Sequence, residues 1–332
     1  MGQCLPQYRM PSQFFKLKVN PWGLLSAAGA LVCILTICGF FGGFYWLLDD
    51  AVHFRGQYAV LLLAVAIAYV VARKFKPALI FVCFAIVNAA VVLPYCLAGC
   101  GVVGPVDSKI RIVLINVHTE NLRYDLVENF IRRSNPDVLV FEEVNDLWIQ
   151  HLAGLRDSLP YSRVEPQSDN FGIALFSKLP LTNIEIHTFG PAGVPSVSAE
   201  VEIGGRRVVL VGTHPLPPGN ADTTRQRDEQ QADVAQFALG RKNSMIVVGD
   251  LNTTPWSGSY RKFLKKSGLT DSVRGFGYQP TWPVGLSPML IPLDHCLVSP
   301  DLQIISRRRG MDVGSDHYPL VVEIGIPRPA RP

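Results

Sequence analysis

Cysteine is scarce in the second part of this sequence. Six of the seven cysteines lie within residues 1–100, and Cys296 is the only cysteine in residues 101–332. A disulfide framework or a zinc site made of thiolates needs several cysteines, so neither is available there. Cys96 and Cys100 could pair on an oxidising side of a membrane or remain separate thiols.

An excess of positive charge is also missing from residues 101–332. The first hundred residues carry seven Lys or Arg against two Asp or Glu, which leaves 24 basic and 25 acidic residues for the rest. Proteins that bind nucleic acid through its phosphates usually present a strongly basic surface. The near-neutral balance therefore weakens a nuclease interpretation without excluding it.

Charge is absent from three long segments near the N-terminus, at residues 23–48, 57–72 and 77–100. A 26-residue helix such as 23–48 would be about 39 Å long, which exceeds the roughly 30 Å hydrocarbon core of a bilayer. We predict three transmembrane helices at these positions. The alternative is a buried helical hairpin in a soluble protein.

The charges that flank these segments predict an orientation. Basic residues precede the first and third segments (Arg9, Lys16 and Lys18, then Arg73, Lys74 and Lys76), whereas residues 49–56 contain two Asp and one Arg. Because cytoplasmic flanks are enriched in Lys and Arg, we expect the N-terminus and the second loop to be cytoplasmic. The first segment has no convincing cleavage site and is expected to remain as an anchor in the inner (cell) membrane.

This orientation places everything after the third segment outside the cytoplasm, in the periplasm or at the cell surface. The predicted organisation is a membrane anchor at residues 1–100, a linker at 101–109, a globular domain at 110–326 and a tail at 327–332. Within the globular part, apolar strand-like runs alternate with helix-like segments.

A short apolar run at residues 245–248 ends in the sequence G-D-L-N, which contains Asp250 and Asn252. Taken alone, G-D-x-N is typical of a turn with Asx hydrogen bonding. Five more apolar runs have a polar candidate at or near an end: Asn116, Glu143, His214, Asp294, and the pair Asp316 and His317. Because a sheet holds its strand ends rigidly, we expect these side chains to form one site.

In this order, the candidate residues resemble the endonuclease/exonuclease/phosphatase superfamily, which includes deoxyribonuclease I, and in particular its membrane-anchored bacterial branch. The resemblance rests on G-D-x-N and the later S-D-H occurring together. It implies an α/β fold, a four-layer sandwich of two mainly antiparallel β-sheets flanked by helices. Here that domain would follow a module of three transmembrane helices.

The resemblance also implies roles for the candidate residues. Glu143, with Asn116 and Asp316, would bind Mg²⁺ or Mn²⁺, in keeping with the preference of hard cations for oxygen ligands. Asp250 would hold and deprotonate the attacking water, and Asn252 would hydrogen-bond a phosphoryl oxygen. His317, oriented by Asp294, would face the phosphate, with His214 as the second histidine. The implied reaction is in-line displacement at phosphorus.

Several assignments stay open in the sequence. Glu142 adjoins Glu143, and we favour Glu143 as the metal ligand because only one of two successive strand residues faces the site. His295 is expected to pack at the edge of the core. Arg225 and Arg227 could contact a substrate phosphate or simply begin a solvated helix.

The substrate is suggested by the anchor and by an apolar loop at residues 275–291, which would either dip into lipid or pack on itself. The leading hypothesis is a membrane-anchored, extracytoplasmic, metal-dependent phosphohydrolase that cleaves a phosphoester or pyrophosphate, with membrane lipids and a lipid-linked phosphate as partners. The alternatives are a nuclease acting on DNA or RNA, and a non-catalytic surface module.

Overall fold

The chain divides into an N-terminal helical part and a β-rich part, seen in a computed structural model that describes residues 20–97 and 105–327. The predictions for Arg9, Lys16, Lys18, Cys100, residues 101–104 and residues 328–332 lie outside this described part. The first part contains α1 (Pro21–Cys38), α2 (Trp46–Asp50), α3 (Arg55–Val71) and α4 (Phe75–Cys96).

The second part contains twelve strands and four helices among the described residues. The strands are β1 (Val106–Asn116), β2 (Val138–Glu142), β3 (Tyr161–Glu165), β4 (Ile173–Ser177), β5 (Leu181–His187), β6 (Ser196–Ile203), β7 (Arg206–Thr213), β8 (Ser244–Asp250), β9 (Thr270–Asp271), β10 (Asp294–Val298), β11 (Gln303–Arg309) and β12 (Leu320–Pro327). The helices are α5 (Tyr124–Ser134), α6 (Asp146–His151), α7 (Ala221–Leu239) and α8 (Gly258–Ser267).

Two apolar helical segments, Pro21–Phe41 and Phe75–Cys96, are long enough to cross a membrane. They correspond to the first and third predicted spans. The helix at the second position, α3, is apolar but has only 17 residues. By length and composition, two spans rather than three are therefore found in the described residues.

The first predicted span, residues 23–48, is wrong beyond Phe41, and its α-helix ends at Cys38. There α1 gives way to a 3-10 turn at Gly39–Phe41, and the chain folds back into α2. Glycine permits this reversal: a Cβ on Gly42 would lie 2.9 Å from Cα of Asp49. The reversal brings Asp49, which is buried, against the globular domain.

The twelve strands form two six-stranded sheets, ordered β11-β12-β1-β2-β4-β3 and β5-β6-β7-β8-β10-β9. Only the pairs β1–β2 and β7–β8 are parallel. The prediction of two mainly antiparallel sheets is confirmed. The predicted linker end at residue 109 is wrong, because β1 already begins at Val106, where its backbone pairs with β12.

Helices cover the outer faces of both sheets, as the fold prediction required. Side chains alternate along β1: Ile112 and Leu114 enter the core between the sheets, while Val113 and Ile115 pack in a second core with residues of α5 and α6. A third core joins the other sheet to α7 and α8. Because each central strand is buried on both faces, it is apolar throughout, which is why the sequence showed uninterrupted runs.

The helical part contacts the domain through the segment between α1 and α3 and through the end of α4. The indole Nε1 of Trp256 donates to the carbonyl of Val52 over 2.8 Å, and the hydroxyl of Tyr95 donates to the carbonyl of Pro255 over 3.0 Å. Both acceptors and donors are buried. The loop after β8, which continues from the G-D-L-N sequence at the end of that strand, is therefore packed directly against the helical part.

Candidate active site

A cavity of about 840 Å³ opens where β2, β7 and β8 end and β10 begins. Six predicted site residues line it: Glu143, His214, Asp250, Asn252, Asp316 and His317. The other two, Asn116 and Asp294, lie directly behind and are hydrogen-bonded to Glu143 and His317. The structure thus brings all eight predicted residues together, as the strand-end argument required.

The G-D-L-N sequence forms a turn as well as part of the cavity wall. A Cβ on Gly249 would lie only 1.9 Å from the carbonyl oxygen of Thr213, so β7 and β8 require glycine there. Asp250 Oδ1 accepts the backbone N–H of Asn252 over 2.9 Å, and Asn252 adopts a left-handed φ of 49°. The Asx turn therefore fixes the Asn252 side chain, whose Nδ2 donates to the carbonyl of Pro215 over 3.0 Å.

His317 lies between two carboxylates. Its Nδ1 donates to Asp294 Oδ2 over 2.9 Å, and its Nε2 is 3.4 Å from Asp250 Oδ2. Burial acts to lower the pKa of His317, but the two carboxylates outweigh it and raise that pKa to about 10. At neutral pH His317 is therefore a buried cation whose Nε2 faces the cavity.

The groups around His317 have altered protonation as well. Burial raises the pKa of Asp250 to about 7, although the charge of His317 opposes the shift. Burial and the same positive charge lower the pKa of His214 to about 3, so His214 is neutral. The site thus combines one charged imidazole, one neutral imidazole and a carboxyl group that titrates near neutral pH.

Glu143 follows β2 with a left-handed φ of 61° and turns its carboxylate into the cavity. Asn116 Nδ2 donates to its Oε1 over 2.8 Å, while its Oε2 is buried with no hydrogen-bond partner among the described residues. His118 Nδ1 lies 3.8 Å from that Oε2 and 3.4 Å from Oδ1 of Asp316. The carboxylates of Glu143 and Asp316 therefore both lie near the half-exposed imidazole of His118.

Glu142 faces away from the cavity, as the strand alternation predicts. It is fully buried and accepts the backbone N–H of Asp250 through Oε2 over 2.9 Å. Burial, followed by repulsion from Asp250, raises its pKa well above the usual range. Glu142 therefore connects β2 of one sheet to β8 of the other and does not line the cavity.

The two arginines of α7 do not contact the cavity. Arg225 is exposed and pairs with Asp222 and Glu229 along its own helix. Arg227 is fully buried and donates to Asp49 Oδ2 over 2.8 Å and to the carbonyl of Asn252 over 3.2 Å. Neither of the two interpretations offered by the sequence describes Arg227, which links the helical part to the site.

His295 packs as predicted. It is buried, and its Nε2 lies 2.8 Å from the carbonyl oxygen of Thr253. The loop at 275–291 partly packs on the domain: Trp282 lines the cavity and its Nε1 donates to Asp316 Oδ2 over 3.0 Å, whereas Leu286 and Met289 remain exposed.

Among the cavity residues that sequence reasoning missed, three belong to the segment between α1 and α3: Asp50, His53 and Phe54. Of these, only Asp50 was used, as a flanking charge for the membrane orientation. A signal was available, because two acids and a histidine occur together in a loop predicted to lie on the domain side of the membrane. It also missed Phe171, whose ring centre is 5.5 Å from that of His214.

The donor set suits a hard divalent cation. Among residues 20–97 and 105–327, no group of three or more His, Cys, Asp and Glu side chains is arranged to hold a metal. Glu143 and Asp316 nevertheless supply two carboxylates beside the Asn116 amide, and Oε2 of Glu143 lacks a partner. Mg²⁺ commonly binds one or two carboxylates and completes its shell with water and substrate oxygens, which this set would permit.

Comparisons with known proteins agree with the geometry. The profile of the Endonuclease/Exonuclease/phosphatase family matches residues 113–317. A search of the curated proteins finds no match.

Solved structures share the fold at low sequence identity. An endonuclease/exonuclease/phosphatase from Beutenbergia cavernae is 19% identical, with 66% of this chain and 72% of that chain covered and a TM-score of 0.55. D. rerio TDP2 complexed with a single-strand DNA product is 17% identical, with 66% and 100% covered and a TM-score of 0.56. The human Nocturnin catalytic domain with bound sulfate is 21% identical, with 65% and 94% covered and a TM-score of 0.54.

Proposed function

The chain belongs to the Endonuclease/Exonuclease/phosphatase family, and from this premise we propose that it is a membrane-anchored, metal-dependent phosphohydrolase that acts outside the cytoplasm on a lipid-linked phosphate. The proposal of a lipid substrate is based on one observation. The cavity that contains Asp250 and His317 is walled on one side by Asp50, His53 and Phe54 from the helical part. A phosphate carried by a lipid could reach this cavity while its chain stays beside the helices.

The helical part has the surface of a membrane anchor. Large apolar side chains of the two long helices are open to the surroundings, for example Leu24 at 60% and Leu79 at 65% exposure. Such a surface is unfavourable in water and suits a bilayer. We propose that α3, at the lower length limit for a span, crosses with them, because it forms a hairpin with α4 through the turn at residues 72–74.

The residues of the cavity suit phosphoryl chemistry. Glu143, Asp316 and Asn116 would hold the divalent cation, which supplies Lewis-acid activation when bound. Deprotonated Asp250 would orient the attacking water and accept its proton. His317, charged and held by Asp294, would stabilise the negative charge that develops on the phosphoryl oxygens. Asn252 is fixed by its turn so that its amide can donate to the same group.

The neutral state of His214 gives it a different task. Its Nε2 lies 3.7 Å from Asp250 Oδ2 and 3.3 Å from Asn252 Nδ2. An uncharged imidazole at this position can donate a hydrogen bond to the substrate or accept one from it, and it adds no second positive charge beside His317. We propose that His214 positions the phosphate and that proton transfer belongs to Asp250.

The test uses the purified full-length protein in detergent micelles. Lipid pyrophosphates, phospholipids and plasmid DNA are offered with and without EDTA, and an Asp250→Asn variant controls for contaminating activity. We expect hydrolysis of a lipid substrate that EDTA and the variant both abolish. Cleavage of plasmid alone, with a steep loss of rate at higher salt, would instead establish the nuclease alternative.

The orientation in the membrane is tested separately. Alkaline phosphatase fused after residue 110 should be active, because that position is placed outside the cytoplasm, and a fusion after Arg73 should be inactive. The opposite pattern would reverse the proposed orientation.

A further inference from the structure

The wall contributed by the helical part has polar atoms that the protein leaves unpaired. His53 is 6% exposed and lines the cavity; its Nδ1 lies 3.0 Å from Thr254 Oγ1, while its Nε2 is buried without a hydrogen-bond partner in the described structure. Asp50, three residues earlier, also lines the cavity and has a buried, unpartnered Oδ1. Buried polar atoms without partners are unfavourable, so such a pair points to a ligand that completes it.

The neighbouring acids Asp49 and Asp50 differ in whether a cation is paired with them. Asp49 is paired with Arg227 over 2.8 Å, whereas no cation pairs with Asp50 among the residues described. Burial and the proximity of Asp49 raise the pKa of Asp50 to about 6, although the charge of Arg227, which is already paired with Asp49 and Asp228, opposes the shift; Asp50 therefore still carries negative charge at neutral pH. Burial lowers the pKa of His53 to about 4, which leaves this imidazole neutral. The wall therefore carries one uncompensated negative charge.

We propose, building on the proposed function, that Asp50 and His53 form a headgroup subsite that binds a hydrogen-bond-donating group of the substrate, either hydroxyl or ammonium. The ionised Asp50 carboxylate can only accept hydrogen bonds, which demands a donor. His53 offers one further hydrogen bond at Nε2, as donor or acceptor according to its tautomer.

This subsite narrows the substrate class. A second phosphate, as in a lipid pyrophosphate, would bring more negative charge against Asp50, and like charges in a partly buried setting repel strongly. A phosphodiester with a polyol or amino headgroup brings a neutral or cationic group instead. The preferred substrate is thus a phosphodiester lipid with a donor headgroup.

The experiment compares four probes with the full-length protein in micelles. Phosphatidylglycerol supplies hydroxyls, phosphatidylethanolamine supplies an ammonium group, farnesyl pyrophosphate supplies a second phosphate, and bis(p-nitrophenyl) phosphate is a diester without a donor headgroup. We expect higher kcat/KM for one of the two phospholipids than for the pyrophosphate. Which phospholipid is better identifies the donor as hydroxyl or ammonium.

Conservative variants then test the two residues. Asp50→Asn should lower the ratio of kcat/KM for the preferred phospholipid to that for bis(p-nitrophenyl) phosphate by about 10- to 100-fold, the loss expected for a hydrogen bond to a charged group. Asp157→Asn, at an exposed position outside the cavity, is the matched charge control.

The variants His53→Gln and His53→Asn distinguish the role of the ring nitrogen Nε2 from that of Nδ1. A Gln amide reaches the position of Nε2, while the shorter Asn reaches only that of Nδ1. We expect Gln to retain most of the phospholipid preference and Asn to lose it, although both keep a polar group in the segment. Equal behaviour of Asn and wild type would exclude a role for Nε2.

The outcomes distinguish this inference from the function on which it rests. If wild type prefers farnesyl pyrophosphate, or if the ratio is unchanged in both Asp50→Asn and His53→Asn, the headgroup subsite is refuted while a lipid phosphohydrolase stands. If no lipid probe is hydrolysed and only plasmid is cut, the proposed function itself fails.

Discussion

Replacing Arg227 with methionine should destabilise the junction between the helical part and the domain. The guanidinium is fully buried and donates to Asp49, to the carbonyl of Asn252 and to Asp228, which is half-exposed. After the substitution, Asp49 stays buried, and the Ser257 hydroxyl at 3.3 Å is the one side-chain partner left to its carboxylate among the residues that the structure describes. The substitution therefore leaves the negative charge of Asp49 without a counter-ion at the junction between the helical part and the domain.

The expected magnitude follows from this burial. Removing one partner of a buried ion pair typically costs about 3–5 kcal/mol. For a domain of this size, about 1 kcal/mol lowers Tm by roughly 2–4 °C, so Arg227→Met should lower Tm by roughly 6–20 °C. Asp49→Asn should cost less, about 1.5–3 kcal/mol, because Arg227 then keeps Asp228 as a counter-ion.

The assay is thermal unfolding in detergent, followed through tryptophan fluorescence, since Trp256 lies in this junction. The double variant Asp49→Asn with Arg227→Met removes the unpaired Asp49 charge and should be more stable than Arg227→Met alone. If the two single effects simply add, the ion pair is not coupled and this account of the junction is wrong. A parallel loss of kcat is expected in Arg227→Met, because Asn252 loses the donor to its carbonyl.

Three further outcomes are expected from the site. Glu143→Gln should lower activity more than about 100-fold with unchanged circular dichroism, whereas Glu142→Gln should do much less because it still accepts the Asp250 N–H; the reverse order would assign the metal to Glu142. As the pH is raised, kcat/KM should increase through a pH of about 7, where Asp250 loses its proton, and decrease above a pH of about 10, where His317 loses its proton. Activity that persists unchanged at pH 5 would exclude Asp250 as the base. Trp282→Phe removes the indole N–H that donates to Asp316, a carboxylate of the proposed metal site, so half-maximal activity should need about 10- to 100-fold more Mg²⁺. An unchanged Mg²⁺ titration would exclude this role.

The strands could be predicted from the sequence because each central strand is buried on both faces. Such a strand is apolar through its middle, and the polar residue that ends it then stands out, as Asp250 does at the end of β8. Their convergence could not be derived from the strands alone, because the ends of β1 and β2 in one sheet meet the ends of β7 and β8 in the other only through the packing of the two sheets. The preference for Glu143 over Glu142 as the metal ligand stays a prediction; it was based on strand alternation, whereas Glu143 follows β2 and reaches the cavity through a left-handed φ of 61°.

The junction could not be predicted in the same way. Asp49 and Arg227 are 178 residues apart, and neither has a local pattern that identifies its partner. A charged residue near an apolar segment ordinarily indicates the membrane boundary, which is how residues 49–56 were interpreted. The break of the first helix had a local cause, the glycines at 39, 42 and 43, but length and apolarity outweighed them in the prediction.

The position of β12 has a consequence for how the protein is made. This strand comes after His317 in the chain, yet it lies between β11 and β1 rather than at the edge of its sheet. While the ribosome is still producing residues before Leu320, β1 lacks its antiparallel neighbour and the first sheet cannot close. If the domain is exported through the membrane as it is synthesised, the complete site would assemble only after nearly the whole chain has emerged on the far side, so the cytoplasm would never contain an assembled site.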